Sequence, residues 1–295
     1  MKLLFVQYLL IVTAFFISVQ NPTFAQDKTT SFPDRHGQLS QQLFIGSGKK
    51  QPLIVGLGGS EGGNPWASQY WKAQRDRFLE QGYAVLALGY FGTKESPAKL
   101  DRIAIEGIHA AVMQAAQAPN VNAECIIVMG GSRGGELALL LGSLYKDYDA
   151  VIGIVAGSSV FPALTMTMDT PGWSHHDKLL PFVPVTEATY PALIRRDLRA
   201  AFSIMMEDQL AMDRAAIAVE NINGPVMLLS AKKDEMWPST EMSDMIARRL
   251  KTKSFPYPVQ HIAIDGNHSA PLKHFNFVEQ FLETELKQSK PECAM

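Results

Sequence analysis

Along the chain, short uninterrupted apolar runs alternate with longer stretches in which apolar positions recur every three or four residues. Residues 52–57, 83–88, 125–129, 150–156, 225–230 and 259–264 are the runs. Their length and their Val, Ile and Leu content predict strands covered on both faces. Helical spacing marks residues 71–81, closed by Gly82, residues 103–116, and the stretch carrying Leu137, Leu140, Leu141 and Leu144. It returns at 241–250, with Ser239 as the expected cap, and at 271–287. Strand and helix in alternation predict an α/β fold with a mainly parallel central sheet and helices on both faces. The pattern lapses twice. Residues 26–50 are polar apart from alternating apolar positions about Leu43 and Phe44, which suggest an edge hairpin without chemistry. Residues 161–223 hold prolines, Trp173, His175-His176 and one helical stretch from 191 to about 212. An interruption this long reads as a lid-like insertion over the carboxyl ends of the strands, where open α/β sheets bind ligands.

The tightest junction lies in residues 124–142, ECIIVMGGSRGGELALLLG. A buried strand must become a helix within Gly130-Gly131-Ser132-Arg133-Gly134-Gly135, a G-x-S-x-G turn in the setting that gives this motif meaning. Such a turn aims Ser132 off its tip as a nucleophile, and the free amide of Arg133 at the helix start can face an oxyanion. A second glycine-rich loop, Gly58-Gly59-Ser60-Glu61-Gly62-Gly63, follows the first strand. Position 61 is glutamate where a dinucleotide fingerprint needs glycine, and no Gly-Lys-Ser/Thr ending follows, so neither nucleotide motif fits. The loop instead suits the second half of an oxyanion hole, with the Ser60 or Glu61 amide as donor.

Two further residue types stand just beyond late strands: Asp234 after 225–230 and His268 after 259–264. In chain order they complete Ser, Asp, His, the order of α/β-hydrolase triads. His268 serves as base to the Ser132 hydroxyl and then as acid to the leaving group, while Asp234 holds its tautomer. Glu235 is the reserve acid. His261 is set aside as preceding its strand at the wrong sheet edge. His175 and His176 lack the spacing and third ligand of a zinc site, so no metal is expected, and no cofactor. Arg195, Arg196 and Arg199 read as a solvated helix face rather than a grip on phosphate. Met166, Met168, Met205, Met206 and Met212 read as packing, with acyl-pocket lining as the alternative. No acidic subsite for a peptide amine is evident.

Composition narrows the partners. With 46% hydrophobic and 19% charged residues and a net charge of −2, the chain fits a soluble globular protein and offers nothing to nucleic acid. A small-molecule acyl ester or thioester is the expected partner; oligomeric state is left open. Lys2 followed by the apolar residues 3–19, with Thr23-Phe24-Ala25 supplying small residues before Gln26, reads as a secretory signal peptide over 1–25. The alternative is a single N-terminal membrane anchor. After cleavage no stable membrane span is expected, residues 26–295 make one α/β domain, and the destination is periplasmic or secreted. Cys125 lies in a core strand and Cys293 near the carboxyl end, so no bridge between them is expected.

The segments GGSEGG, YAVLALGYFG, GGSRGGELALLLGS, GPVMLLSAKKDEMWPS and DGNH together resemble the C-terminal catalytic domain of the bile acid-CoA:amino acid N-acyltransferase and acyl-CoA thioester hydrolase family. From about residue 52 onward the resemblance implies the α/β-hydrolase fold, with Ser132 as nucleophile, Asp234 as acid and His268 as base. Members of that family typically carry a β-sandwich ahead of this domain, for which the residues before 52 leave no room. The better known members act on CoA esters inside cells, and the amino acid conjugating ones look cysteine-based. A serine here favours water as acceptor, hence an acyl thioester or ester hydrolase. An exported carboxylesterase or peptidase of the same fold is the alternative, and a noncatalytic binding protein would need a missing triad member.

Overall fold

Strand burial follows the apolar runs. The computed structural model describes residues 31–294; the expected signal peptide and its cleavage site lie outside the described residues. From Phe32 onward the chain forms one unit. Its strands are β1 (Ser40–Phe44), β2 (Gln51–Leu57), β3 (Ala84–Gly89), β4 (Ile103–Ala104), β5 (Val121–Gly131), β6 (Ala150–Ile154), β7 (Trp173–His175), β8 (Lys178–Leu179), β9 (Val226–Ala231) and β10 (Val259–Ile264). Seven of them make the central sheet in the order β1-β3-β2-β5-β6-β9-β10. All neighbours are parallel except β1, which pairs antiparallel with β3. Residues about Leu43 and Phe44 are thus an edge strand on a distant partner rather than a local hairpin.

Every residue of β2, β3, β6 and β9 is buried, as two-sided cover requires. Alternation sorts the side chains. Leu53, Val55, Ile126, Val128 and Leu228 meet Ile108 and Val112 of α2 (Ile105–Ala116, after α1, Lys72–Glu80) and Leu137 and Leu141 of α3 (Arg133–Leu144) on one face. Ile54, Ile127, Met129 and Leu229 meet Phe78 of α1 and the carboxyl-terminal Phe275, Val278 and Phe281 on the other.

The insertion departs from expectation. In place of one helix, residues 190–215 form α4 (Tyr190–Ile194), α5 (Leu198–Met206) and α6 (Gln209–Ala215). Asp197 and Asp208 each cap a new helix by accepting an amide, from Ala200 at 3.0 Å and Ala211 at 2.9 Å, which restarts the chain twice. Strands β4, β7 and β8 form a small separate sheet. Helix α7 (Ser239–Thr252) starts at Ser239 itself, whose hydroxyl accepts from the Ala231 amide at 3.2 Å instead of capping.

The carboxyl end overturns the expected absence of a disulfide. After α8 (Phe275–Phe281) and a π-helical turn the chain runs back along β5, where Asn122 Nδ2 donates to the Glu292 carbonyl at 2.8 Å and Lys290 pairs with Asp149 at 3.2 Å. That return brings Cys293 to Cys125, with Cα atoms 5.1 Å apart, and the two are bonded across 168 residues. Among the described residues no helix is long and apolar enough to cross a membrane.

Candidate active site

The end of β5 is where the backbone is most constrained. Ser132 has φ 54° and ψ −121°, a conformation few non-glycine residues adopt and one that marks a site where strain serves a purpose. Gly130 and Gly134, two residues to either side, must be glycine because backbone fills their side-chain space. A Cβ on Gly130 would lie 2.1 Å from the Gly134 carbonyl oxygen, and one on Gly134 would lie 2.2 Å from the Gly58 carbonyl oxygen. The turn and the Gly58–Gly63 loop therefore touch backbone to backbone. The Ser132 amide donates to the Ile154 carbonyl at 2.8 Å, and its carbonyl accepts from Gly135 and Glu136 at 2.9 and 3.1 Å, which starts α3.

Donors collect around this turn. Arg133 is the first residue of α3, so its amide has no acceptor within the helix. The Ser60 and Glu61 amides make no hydrogen bond to a described group, and both residues border the cavity that holds Ser132. The Ser132 hydroxyl itself makes no hydrogen bond among the described residues.

His268 and Asp234 meet directly. His268 Nδ1 lies 2.8 and 2.9 Å from the two Asp234 oxygens, and with its proton there the ring leaves Nε2 free as a base. Asp234 Oδ1 also accepts the Met236 and Trp237 amides at 2.9 and 3.2 Å. Burial of this fully enclosed carboxyl raises its pKa, but the His268 and Ser239 hydrogen bonds, the His268 charge and the Met236 amide outweigh burial and hold it below the ordinary carboxylate value. Glu235 is exposed, and its Oε2 accepts the backbone amide of His268 at 2.9 Å rather than the ring. His261 is the third residue of β10, not a residue before it, and its Nε2 lies 2.7 Å from the Ser230 hydroxyl. It is absent from the cavity lining.

Ser132 and His268 line one cavity of about 240 Å³, together with Ser60, Glu61 and Glu235. Its apolar lining is Leu57, Trp66, Trp71, Ile154, Val155, Met236, Leu272 and Phe275. None of the lining comes from residues 161–223, so the acyl-lining alternative for the insertion's methionines falls. Two carboxylates, Glu61 and Glu235, stand at the exposed edge, so acidic groups do border the site. The insertion instead packs behind Trp237: Phe161 and Phe202 lie 5.8 and 5.3 Å from its ring, in a cluster with Met205, Met206 and Met212. Met166 is exposed. Arg195 and Arg196 are solvated as expected, but Arg199 donates to the Asp234 carbonyl at 2.8 Å and to Glu241 at 2.6 Å.

Two features went unread in the sequence. Val155, β-branched and bordering the cavity, also has positive φ, 43°, and its carbonyl takes the Trp237 indole N–H at 2.9 Å. Behind the serine turn, the buried Arg133 guanidinium lies 2.9 Å from Glu136 and donates to the Phe161 carbonyl at 3.2 Å. Glu136 accepts from the Trp173 indole at 2.6 Å and the Phe161 amide at 3.2 Å. Burial pushes its carboxyl up, against the pull of Arg133 and these donors. A lone glutamate in the otherwise apolar GELALLLG was the available signal.

Among the described residues two groups of three could meet at a metal ion. Cys125 and Cys293 with Asp149 is one, and its sulfurs are bonded to each other. His36, Glu106 and Asp177 is the other, outside the cavity lining, with Asp177 largely exposed. His175 Nε2 meets the Tyr145 hydroxyl at 3.1 Å.

Residues 104–268 match the family model described as BAAT / Acyl-CoA thioester hydrolase C terminal, a span that contains Ser132 and Asp234 and ends on His268. Acyl-coenzyme A thioesterase 1 of Mus musculus is 26% identical over 220 residues, 74% of this chain and 49% of that protein. Acyl-coenzyme A amino acid N-acyltransferase 1 of Mus musculus is 23% identical over 220 residues, 74% of this chain and 48% of its own length. The chain thus spans about half the length of these curated relatives. Among solved structures, an esterase of Pyrococcus furiosus superposes with a TM-score of 0.57 at 16% identity, covering 84% of this chain and 88% of its own. A puromycin-hydrolyzing peptidase of Mycobacterium tuberculosis gives 0.59 at 14% identity, over 85% of this chain and 37% of its own. These two likenesses carry the fold, that of α/β hydrolases.

Proposed function

The chain belongs to the BAAT / acyl-CoA thioester hydrolase C-terminal family, and from that premise we propose that it hydrolyses acyl thioesters or esters through a Ser132–His268–Asp234 triad and a covalent acyl-enzyme. One observation carries the reading: a His268 ring held through Nδ1 by both oxygens of a buried Asp234, in the same cavity as a serine with strained backbone.

His268 Nε2 takes the Ser132 hydroxyl proton as Oγ bonds to the substrate carbonyl carbon, and the carbonyl oxygen becomes an oxyanion facing the Arg133 amide and the Ser60 or Glu61 amide. As the tetrahedral species collapses, the bond to the leaving thiolate or alkoxide breaks and His268 returns the proton to it. Water then attacks the acyl-serine, again losing a proton to His268, and Ser132 recovers it when the acid departs. Asp234, kept ionised by its hydrogen bonds, stabilises the imidazolium in each half. Water is preferred over an amine as acceptor because a serine ester is less prone to aminolysis than a thioester.

Export is part of the proposal. The apolar residues 3–19 with their small-residue cleavage site support it, and so does the Cys125–Cys293 bond, since disulfides persist in oxidising compartments. In such a compartment the leaving group need not be CoA.

The test is Ser132→Ala, expected to lower kcat/KM on an activated ester by roughly a thousandfold or more and to abolish labelling by a fluorophosphonate probe. Labelling that persists in the variant would place the nucleophile elsewhere.

A further inference from the structure

The cavity beside Ser132 has a wet end and a dry end. Ser60, Glu61 and Glu235 are exposed, whereas Leu57, Trp66 and Phe275 are 1%, 3% and 5% exposed. The dry end is aromatic and braced. Trp66 stacks on Trp71 with centroids 4.7 Å apart, and Phe275 stands edge-on to both at 6.1 and 5.6 Å. Trp66 also backs onto β2 so closely that a Cβ on Gly56 would lie 2.4 Å from its ring, and Arg75 donates to the Trp66 carbonyl at 2.5 Å. Trp66 and Phe275, held from several sides, cannot turn aside for a longer ligand without opening the core, so the buried wall of the recess is fixed.

Resting on the serine-hydrolase reading above, we propose that this recess is the acyl subsite and that it selects short-chain or arylacyl groups, of up to about eight carbons, against long fatty acyl chains. Size argues first. A cavity of about 150 Å³ accepts benzene; scaled to the 240 Å³ here, the whole cavity, wet end included, takes about ten non-hydrogen atoms, which is the upper bound for an acyl group with its reacting carboxyl. Chemistry argues next, because flat aromatic walls reward a ring offered face or edge. Kinetic order assigns the half of the substrate. The leaving group must depart while the acyl group is still bonded to Ser132, and the exposed end of the cavity gives it the direct path to solvent. The acyl group therefore takes the aromatic end, and the leaving group lies toward Glu61 and Glu235, where size is unrestricted.

The experiment is kcat/KM on p-nitrophenyl esters of acetyl, butyryl, octanoyl, phenylacetyl, dodecanoyl and palmitoyl groups, beside acetate esters of alcohols of the same lengths. Octanoyl and phenylacetyl esters are expected to be best, dodecanoyl esters lower by at least about tenfold, and the alcohol series nearly flat. Trp71→Ala, which removes a partly exposed wall, should move the optimum to dodecanoyl; Leu272→Trp should move it to butyryl. Fluorophosphonate labelling of Ser132 and the melting temperature report whether each variant is folded. A wild-type optimum at dodecanoyl or longer, selection by alcohol length, or a profile unchanged in both folded variants overturns the subsite while leaving the hydrolase standing. Absent turnover of every ester with no labelling of Ser132 overturns both.

Discussion

Removing the Cys125–Cys293 bond should cost stability and leave chemistry intact. The bond closes a loop of 168 residues, and restricting an unfolded chain over that length is worth about 5 kcal/mol. Spread over the unfolding entropy of the described residues, that is a drop of about 9 °C in Tm. Native contacts survive the change: the Lys290–Asp149 pair and the Asn122–Glu292 hydrogen bond still hold the tail along β5. Because both sulfurs are buried, the substitution of choice is Cys125→Ala with Cys293→Ala, which adds no buried polar group. Along β5 the bond lies about 20 Å from Ser132, so kcat/KM of the folded variant should match the wild type. Urea unfolding of the oxidised wild type, the wild type in dithiothreitol and the double variant supplies the comparison. The last two should agree and both fall well below the first. A loss under about 1 kcal/mol in both would refute the loop-closure reasoning.

Asp234→Asn should lower kcat/KM by about 10⁴-fold through the wrong tautomer of His268, while Glu235→Gln, which touches only the His268 amide, stays within about tenfold; the opposite ranking in steady-state kinetics would exchange the two acids. Burial holds the pKa of His109 below the ordinary histidine value of 6.5, against the pull of Asp147. Folding thus favours the neutral ring, so the stabilisation is present above about pH 6.5 and lost as pH falls through the lower folded pKa. The decline in Tm from about pH 7.5 to about pH 5.5 should be smaller in His109→Phe, which keeps the stacking on Tyr145, and an equal decline would rule this out.

What could be read from the chain was local. Parallel strands covered on both faces are continuous apolar runs, so β2, β6 and β9 stand out, and the serine turn shows because backbone contacts admit only glycine at 130 and 134. The start of β5 was lost because Asn122, Ala123 and Glu124 are not buried and break the run. The helix restarts at Asp197 and Asp208 were legible as capping residues but were masked by unbroken helical spacing. What failed was long-range. The disulfide depends on a carboxyl-terminal tail running back along β5. The aromatic recess joins Trp66 and Trp71 to Phe275, two hundred residues on, and no periodicity announces such a meeting.

The insertion shows how far a local reading can mislead about role. Its length and place suggested a cover over the substrate, yet its contacts run to the machinery beneath. The Phe161 carbonyl takes the Arg133 guanidinium, and the Trp173 indole with the Phe161 amide holds Glu136, so the first turn of α3 is pinned from outside the sheet. Under the proposed mechanism that turn must stay fixed for the Arg133 amide to keep its aim at an oxyanion, since a preorganised donor is useful only if it does not move as charge develops. The same segment backs Trp237, whose amide and indole N–H hold Asp234 and the strained Val155. Two backbone positions with positive φ, at the ends of adjacent strands, are thereby kept in place by residues that never reach the cavity. In this fold the insertion braces the Ser132 turn, and under the proposed mechanism the choice of acyl group would fall to the aromatic wall on the opposite face of the sheet.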